Sequence, residues 1–461
     1  MMKYLHTEYD DLLKPYQEDL FKSLKEFVAI DSVYDEDSKD ELNPFGKGVS
    51  KALNYIKDLA IKDGFKATNY DNMVVEILCG EGKNNLTILA HADVVPEGSG
   101  WPHDPFTVVE KNGVLTGRGV ADDKGPLLET YYALKALRDN NLLGNYQVRF
   151  IVGGNEESGS LGVEHYFHHL NKEQPTLGFS PDAEWPLIYA EKGIRNFIVK
   201  GKIDIPNISF IHGGLASNSV IEECKLLMHR KDQALLDLFK EHKAIITPNH
   251  DGSFTAYVRG KSAHGSTPEL GINAGLIALE ILDNYYHIDE LHHLLNCYKD
   301  CYGRGINAYY ESEKMDYQKT SLNIGILDYK DGIISMVCNY RYVETCDINK
   351  ATEDIKKASS PFEIEVVADA PMLFYEKNHP LVQILYNAYK DETNDLENKP
   401  KAIGGGTYAK EVENCVAFGA EFPGWDSKMH GVNEGCRKED MIKSMSIYAR
   451  AIRELGKKLE E

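Results

Sequence analysis

Apolar residues recur along this chain in two rhythms, and the mixture of rhythms changes part-way. In the first third, stretches of helical spacing alternate with short continuous apolar runs. Leu53, Ile56 and Ala60 share one side of a helix expected over 50–60 and ending near Gly64. Leu127, Leu128, Tyr131, Leu134 and Leu137 do the same over 125–138, and a third helix is expected over about 161–170. Between them, 85–90 and 146–152 read as buried strands. Strand and helix in alternation predict an α/β layer with a mostly parallel sheet.

The middle of the chain reads differently. A strand at 254–259 and a helix at 272–282 precede two apolar strands, 322–327 and 333–337, which flank Asp331-Gly332. An Asp-Gly pair between two such runs is a hairpin signal, and 362–367 adds a further strand. Hairpins with helices predict a separate inserted α+β domain, after which helix-rich α/β character returns from His379 onward. The expected division is 1–190 and 376–461 for one domain in two parts, with 191–375 inserted; 461 residues exceed one ordinary core.

Composition narrows the partners. Seventy-two acidic against 51 basic residues leave a formal charge of −21, which repels phosphate backbones and anionic membranes and serves solubility. No apolar run is long enough to span a bilayer, and the first residues carry no apolar signal segment. Eight scattered cysteines form no CxxC pair, and Cys297 and Cys301 read as two reduced thiols one helical turn apart. A cytoplasmic protein that binds neither nucleic acid nor membrane is expected.

Five short segments carry the chemistry. His91-Ala92-Asp93 ends a strand, where a histidine can ligate metal and an acid two residues on can orient its ring. Gly117-Arg118-Gly119-Val120-Ala121-Asp122-Asp123-Lys124-Gly125 precedes a helix and imitates half a dinucleotide fingerprint. Asp122, however, stands where a third glycine belongs, and a carboxylate suits cations rather than phosphates. Glu156-Glu157 follows the strand Phe150-Ile151-Val152, at the end where open α/β sheets bind ligands. Ser180-Pro181-Asp182 and Lys428-Met429-His430-Gly431-Val432-Asn433-Glu434 complete the set. Any one of these residues alone is more often structural. Together they supply carboxylate and imidazole without thiolate, a donor set that suits Zn, Mn or Co in a hydrolytic site.

In this order the motifs resemble the M20 metallopeptidases, and within them the PepV-type dipeptidases, over nearly the whole chain. Gly100-Trp101-Pro102, Ser180-Pro181-Asp182-Ala183-Glu184 and Gly404-Gly405-Gly406-Thr407 add to the likeness. The resemblance implies two divalent ions per chain, Zn or Mn with Co also compatible. One would be held by His91, Asp182 and Asp122, the other by Glu157, His430 and the bridging Asp122. It further implies that Asp93 orients His91, that Glu156 is the general base, and that the inserted domain is a lid carrying His264, Asn218 and Arg341. Gly405 and Lys410 would help bind substrate. Two departures bear on substrate choice: Lys410 replaces the arginine usual after the glycine triplet, and Val343 stands where a proline is usual after Tyr342. The implied activity is hydrolysis of a short peptide by a monomer, through a hydroxide shared by the metals. The alternatives are N-acyl amino acid deacylation and a non-catalytic binding protein on the same scaffold.

Overall fold

The computed structural model describes residues 4–230, 232–316 and 318–461. They form two compact units: the described residues of 4–190, 373–401 and 406–461 make the first, and those of 191–372 with 402–405 the second. The return of 402–405 to the second unit has local causes. Ala402 N–H donates to Asp316, and the Arg341 guanidinium donates to the Gly404 carbonyl.

The first unit is built on a sheet whose strands follow the order Lys66–Tyr70, Val74–Cys79, Gln147–Gly153, Asn85–His91, Leu177–Ser180, Cys415–Ala417, Ile188–Glu191 and Leu373–Phe374. Its four central strands, from Gln147–Gly153 to Cys415–Ala417, run parallel, and the pairings on either side of them are antiparallel. Asn85–His91 is buried along its whole length, as a central strand covered on both faces must be. The helices Lys124–Asp139 and Lys438–Glu460 pack on it, and Lys47–Lys62 packs on the two outer strands. The helix expected over 161–170 begins as Leu161–Glu164 and continues as a π-helical turn, His165–His169.

The second unit holds an eight-stranded antiparallel sheet, in the order Ile245–Pro248, Phe254–Arg259, Glu223–Met228, Ile208–Gly213, Ser321–Lys330, Ile333–Tyr342, Gly193–Lys202 and Glu363–Ala370. Asp331 (φ 52°) and Gly332 (φ 77°) both adopt the left-handed conformation required by a two-residue hairpin of type I′. The core lies where Ala278, Leu282, Leu291 and Leu295 of two helices meet Leu226, Val258 and Met336 of the strands. Three strands of this sheet, Gly193–Lys202, Ile208–Gly213 and Glu223–Met228, do not stand out in the apolar pattern. Their buried residues alternate with exposed or half-buried ones that break any continuous run. Cys301 lies beyond the end of the helix Asp289–Tyr298 that contains Cys297, so the two do not share a helix; all eight cysteines are free.

A buried ion network ties the N-terminal segment of the first unit to its last helix. Glu392 is fully buried and accepts from Thr7 Oγ1 at 2.7 Å, Lys443 Nζ at 2.8 Å and Arg450 Nε at 2.6 Å. Glu392→Ala removes the 2.6 Å partner of Arg450 and leaves Lys443 to Asp10 at 3.0 Å, so a loss of about 1–3 kcal/mol is expected in urea unfolding of the first unit. A loss below about 1 kcal/mol would show that the network adds little.

Candidate active site

The parallel pairing of the central strands brings three candidate segments to one edge of the sheet. His91 closes its strand in register with Gly153, so the Glu156-Glu157 pair three residues on emerges beside it. Asp182 follows the strand Leu177–Ser180, the other parallel neighbour of Asn85–His91. Asp122 sits just before the helix Lys124–Asp139, joined to Asp123 by a cis peptide, and His430 comes from the loop ahead of Gly435–Arg437.

There the side chains converge. Asp122 divides its two carboxylate oxygens between two imidazoles: Oδ1 lies 3.0 Å from His91 Nε2 and Oδ2 lies 2.9 Å from His430 Nε2. His91 Nε2 is also 3.7 Å from Asp182, and His430 Nε2 is 3.2 Å from Glu157. Donor atoms of His91, Asp122 and Glu157 lie within 4.8 Å of one another, as do those of His91, Glu156 and Asp182. Glu157 Oε1 is buried without a partner, and no described residue gives the Glu156 carboxylate a hydrogen bond.

Asp93 meets both the ring of His91 and the turn that bears the two acids. His91 Nδ1 faces the Asp93 backbone carbonyl at 3.0 Å, with the Asp93 carboxylate at 3.4 Å. That carboxylate accepts the N–H groups of Glu156 and Glu157, each at 3.1 Å, and so fixes the turn bearing both acids. Asp123, fully buried, accepts the His91 N–H at 3.0 Å.

Two positioning residues had no role assigned by the motifs in which they occur. Glu434 is fully buried, and its Oε1 accepts the N–H groups of Gly119, Ala121 and Asp122 at 3.0, 2.9 and 3.2 Å. Its other oxygen pairs with Arg118, whose Nη2 donates to the carbonyls of His430 and Gly431 at 3.3 and 3.4 Å. One ion pair thus joins the loop of Asp122 to the loop of His430. The only sequence signal was a Glu and an Arg inside motif segments; a pairing across 316 positions leaves no local pattern.

The electrostatics follow from crowding acids out of water. Burial, then the charge of Asp122, pushes Asp182 up to about 7. Burial and neighbouring carboxylates raise Glu156 and Glu157 as well. Burial alone would disfavour the His430 imidazolium, but Asp122 and Glu157 push it up to about 11. So many buried carboxylates around two imidazoles form a hard oxygen and nitrogen donor set with surplus negative charge, which a divalent cation offsets.

Residues 87–454 match the sequence profile of peptidase family M20/M25/M40. The chain belongs to that family. This M20 peptidase is therefore a peptide hydrolase, and its membership implies use of divalent metal. It is 34% identical to YtjP of Bacillus subtilis (strain 168), named provisionally as a dipeptidase, over 96% of this chain and 98% of that one. A relative from Staphylococcus aureus (strain USA300), named in the same way, is also 34% identical, over 95% and 97%. Among solved structures, the M20 family metallo-carboxypeptidase Sso-CP2 from Sulfolobus solfataricus shares the fold at TM-score 0.59 and 18% identity, covering 95% of this chain and 99% of that one. Human carnosine dipeptidase 1 does so at 0.55 and 16%, covering 97% and 99%. Among the described residues of the M20 chain, no helix is long and apolar enough to cross a membrane.

The remaining candidates fall in two places. Asn218, His264, Arg341 and Gly405 belong to the second unit. Gly265 N–H donates to the Asn218 carbonyl at 2.7 Å, and His264 Nδ1 contacts Ser266 Oγ at 2.7 Å. A Cβ on Gly404 would lie 2.7 Å from that of Ser266, so the 402–405 stretch runs against the turn bearing His264. Arg341, only 3% exposed, donates to Asn339 Oδ1 at 2.9 Å and to the Gly404 carbonyl; no carboxylate among the described residues pairs with it. Lys410 belongs to the first unit, its ammonium folded back over Gly406.

Glu434→Gln should lower divalent-metal affinity by about 10–100-fold, because an amide cannot accept both sets of hydrogen bonds. Calorimetric titration of the metal-free protein with Co²⁺, beside circular dichroism, checks this. Unchanged affinity would mean that the loops hold their places without the pair.

Proposed function

We propose that the protein is a dipeptidase that holds two divalent ions, Zn or Mn with Co able to substitute, and hydrolyses the amide bond of a dipeptide with a free C-terminus. The observation that carries this reading is the split of Asp122 between His91 and His430 at 3.0 and 2.9 Å. A carboxylate with one oxygen on each histidine suits the shared ligand of a two-ion site. His91, Asp182 and Asp122 would hold one ion, and Glu157, His430 and Asp122 the other. The names of the Bacillus and Staphylococcus relatives favour a dipeptide as the substrate.

When bound, the ions lower the pKa of a water molecule from about 15.7 to about 7 and polarise the scissile carbonyl. Glu156 takes the proton of the attacking water and passes it to the leaving amine, an effect of roughly 10²–10⁴-fold. The freedom of its carboxylate from protein hydrogen bonds supports that role. Asp93 keeps Glu156 in place through the two backbone N–H groups it accepts. His264 donates a hydrogen bond to the tetrahedral oxyanion, which is worth about 3–4 kcal/mol where one such donor is lost elsewhere. Arg341 forks onto the terminal carboxylate, with Asn218, Gly405 and Lys410 assisting substrate binding. The eight free cysteines favour a reducing cytoplasm. The inserted segment, about 185 residues from 191 to 375, is long enough in this reading to bring His264 to the site of its own chain, so the protein would work as a monomer.

Chelation should abolish turnover of a dipeptide panel, and added Zn²⁺ or Mn²⁺ should restore it with the circular dichroism spectrum unchanged. Faster turnover of N-acetyl amino acids than of dipeptides would overturn the substrate reading, and turnover that survives chelation the metal reading.

Glu156→Gln should keep both ions by elemental analysis and lose at least about 10²-fold in kcat. A near-normal rate would remove Glu156 from the role of base.

A further inference from the structure

In the second unit, Arg341 has a cationic neighbour. Ile194 and Arg341 are direct partners in the antiparallel ladder of Gly193–Lys202 with Ile333–Tyr342. Lys192 lies just before that strand, one residue ahead of Gly193, and the charge of Arg341 acts on its ammonium. The face opposite Arg341 is closed at this point, since a Cβ on Gly193 would lie 2.0 Å from the Tyr342 ring. Both cationic residues also meet one short segment. Lys192 N–H donates to the Ile403 carbonyl at 3.2 Å, and the Arg341 guanidinium donates to the carbonyl of the next residue, Gly404.

Both side chains are buried, each residue 3% exposed. After burial, the positive charge of Arg341 is the next cause that holds the Lys192 ammonium down, at about 8, while Glu269 acts in the opposite sense. Two cations kept close together out of water repel each other, and an anion between them relieves both. A carboxylate has about four lone-pair sites, enough for the parallel fork of an arginine and a lysine ammonium together.

We infer that Lys192 is the second cation of the carboxylate subsite headed by Arg341, so that one terminal carboxylate of the substrate is held by both. This rests on the assignment of Arg341 to that carboxylate in the proposed function. It makes Lys192 a specificity-determining residue: it discriminates a free C-terminus from a blocked one and takes no part in the proton transfers.

The test compares the full-length Mn²⁺-loaded protein with its Lys192→Gln and Lys192→Arg variants, using Gly-Leu and Gly-Leu amide. KM and kcat are measured for both, and Kd by calorimetry in the non-hydrolysing Glu156→Gln background. Lys192→Gln is expected to raise KM and Kd for Gly-Leu about tenfold, to leave kcat within about twofold, and to leave the amide unaffected. Lys192→Arg should recover most of the loss. With Arg341→Met added, the combined loss should be smaller than the product of the two single losses, since both residues act on one group. Equal losses on free and amidated peptide, a fall in kcat alone, multiplicative losses, or no loss would each overturn the inference. So would the absence of any carboxylate-dependent binding. Failure of the parent protein to turn over Gly-Leu would count against the dipeptidase reading by itself, and the calorimetry would still decide the role of Lys192.

Discussion

Asp122 can serve both His91 and His430 only if two loops far apart in sequence keep a fixed spacing, and the ion pair of Arg118 with Glu434 sets that spacing. Glu434 gathers three backbone N–H groups of the turn that ends in Asp122, while Arg118 holds the carbonyls of His430 and Gly431. Isolated buried ion pairs often contribute little net stability, because desolvation offsets their attraction. Here every oxygen of the acid is engaged, so the pair acts as a rigid spacer more than as a source of stability. Burial keeps it from being screened, and burial, then the charge of Asp122, pushes Glu434 up to about 7.

Around this spacer the fold does what parallel sheets do well. Adjacent parallel strands end on the same edge, so residues that follow Asn85–His91, Gln147–Gly153 and Leu177–Ser180 meet without any long-range design of loops. For the first two that was legible in the chain: their apolar runs were continuous, and His91 and the paired acids stood at or just after their ends, whereas Leu177–Ser180 has no such run. The hairpin at Asp331-Gly332 was legible for a similar reason, since only a few residue types tolerate its two positive φ angles.

What escaped the sequence shares one physical character: it depends on pairings that no local window contains. The strands Gly193–Lys202, Ile208–Gly213 and Glu223–Met228 owe their state to neighbours in the sheet more than to their own apolar content. Asp93 was expected to orient His91 with its carboxylate. Its carboxylate lies 3.4 Å from His91 Nδ1; what the motif did not show is that it also accepts the N–H groups of Glu156 and Glu157. Glu434 and Arg118 were visible as letters within motifs, but their function lies in the 316 positions between them.

The two candidate sites therefore gather buried charge of predominantly one sign. In the first, Asp122, Glu156, Glu157 and Asp182 crowd around two imidazoles, and the raised carboxyls record the repulsion. In the second, Arg341 lies buried without a carboxylate, and its guanidinium is lowered to about 10 by that burial. Folding alone disfavours both arrangements, since a buried charge costs several kcal/mol unless something opposes it. Under the proposed function, ligands of opposite sign would supply the opposition: divalent cations for the carboxylates, and a substrate carboxylate for the guanidinium. Under that reading, local stability is given up in these two places and recovered on binding. The same energy would make recognition specific, because a peptide without its terminal charge would leave Arg341 as costly as before.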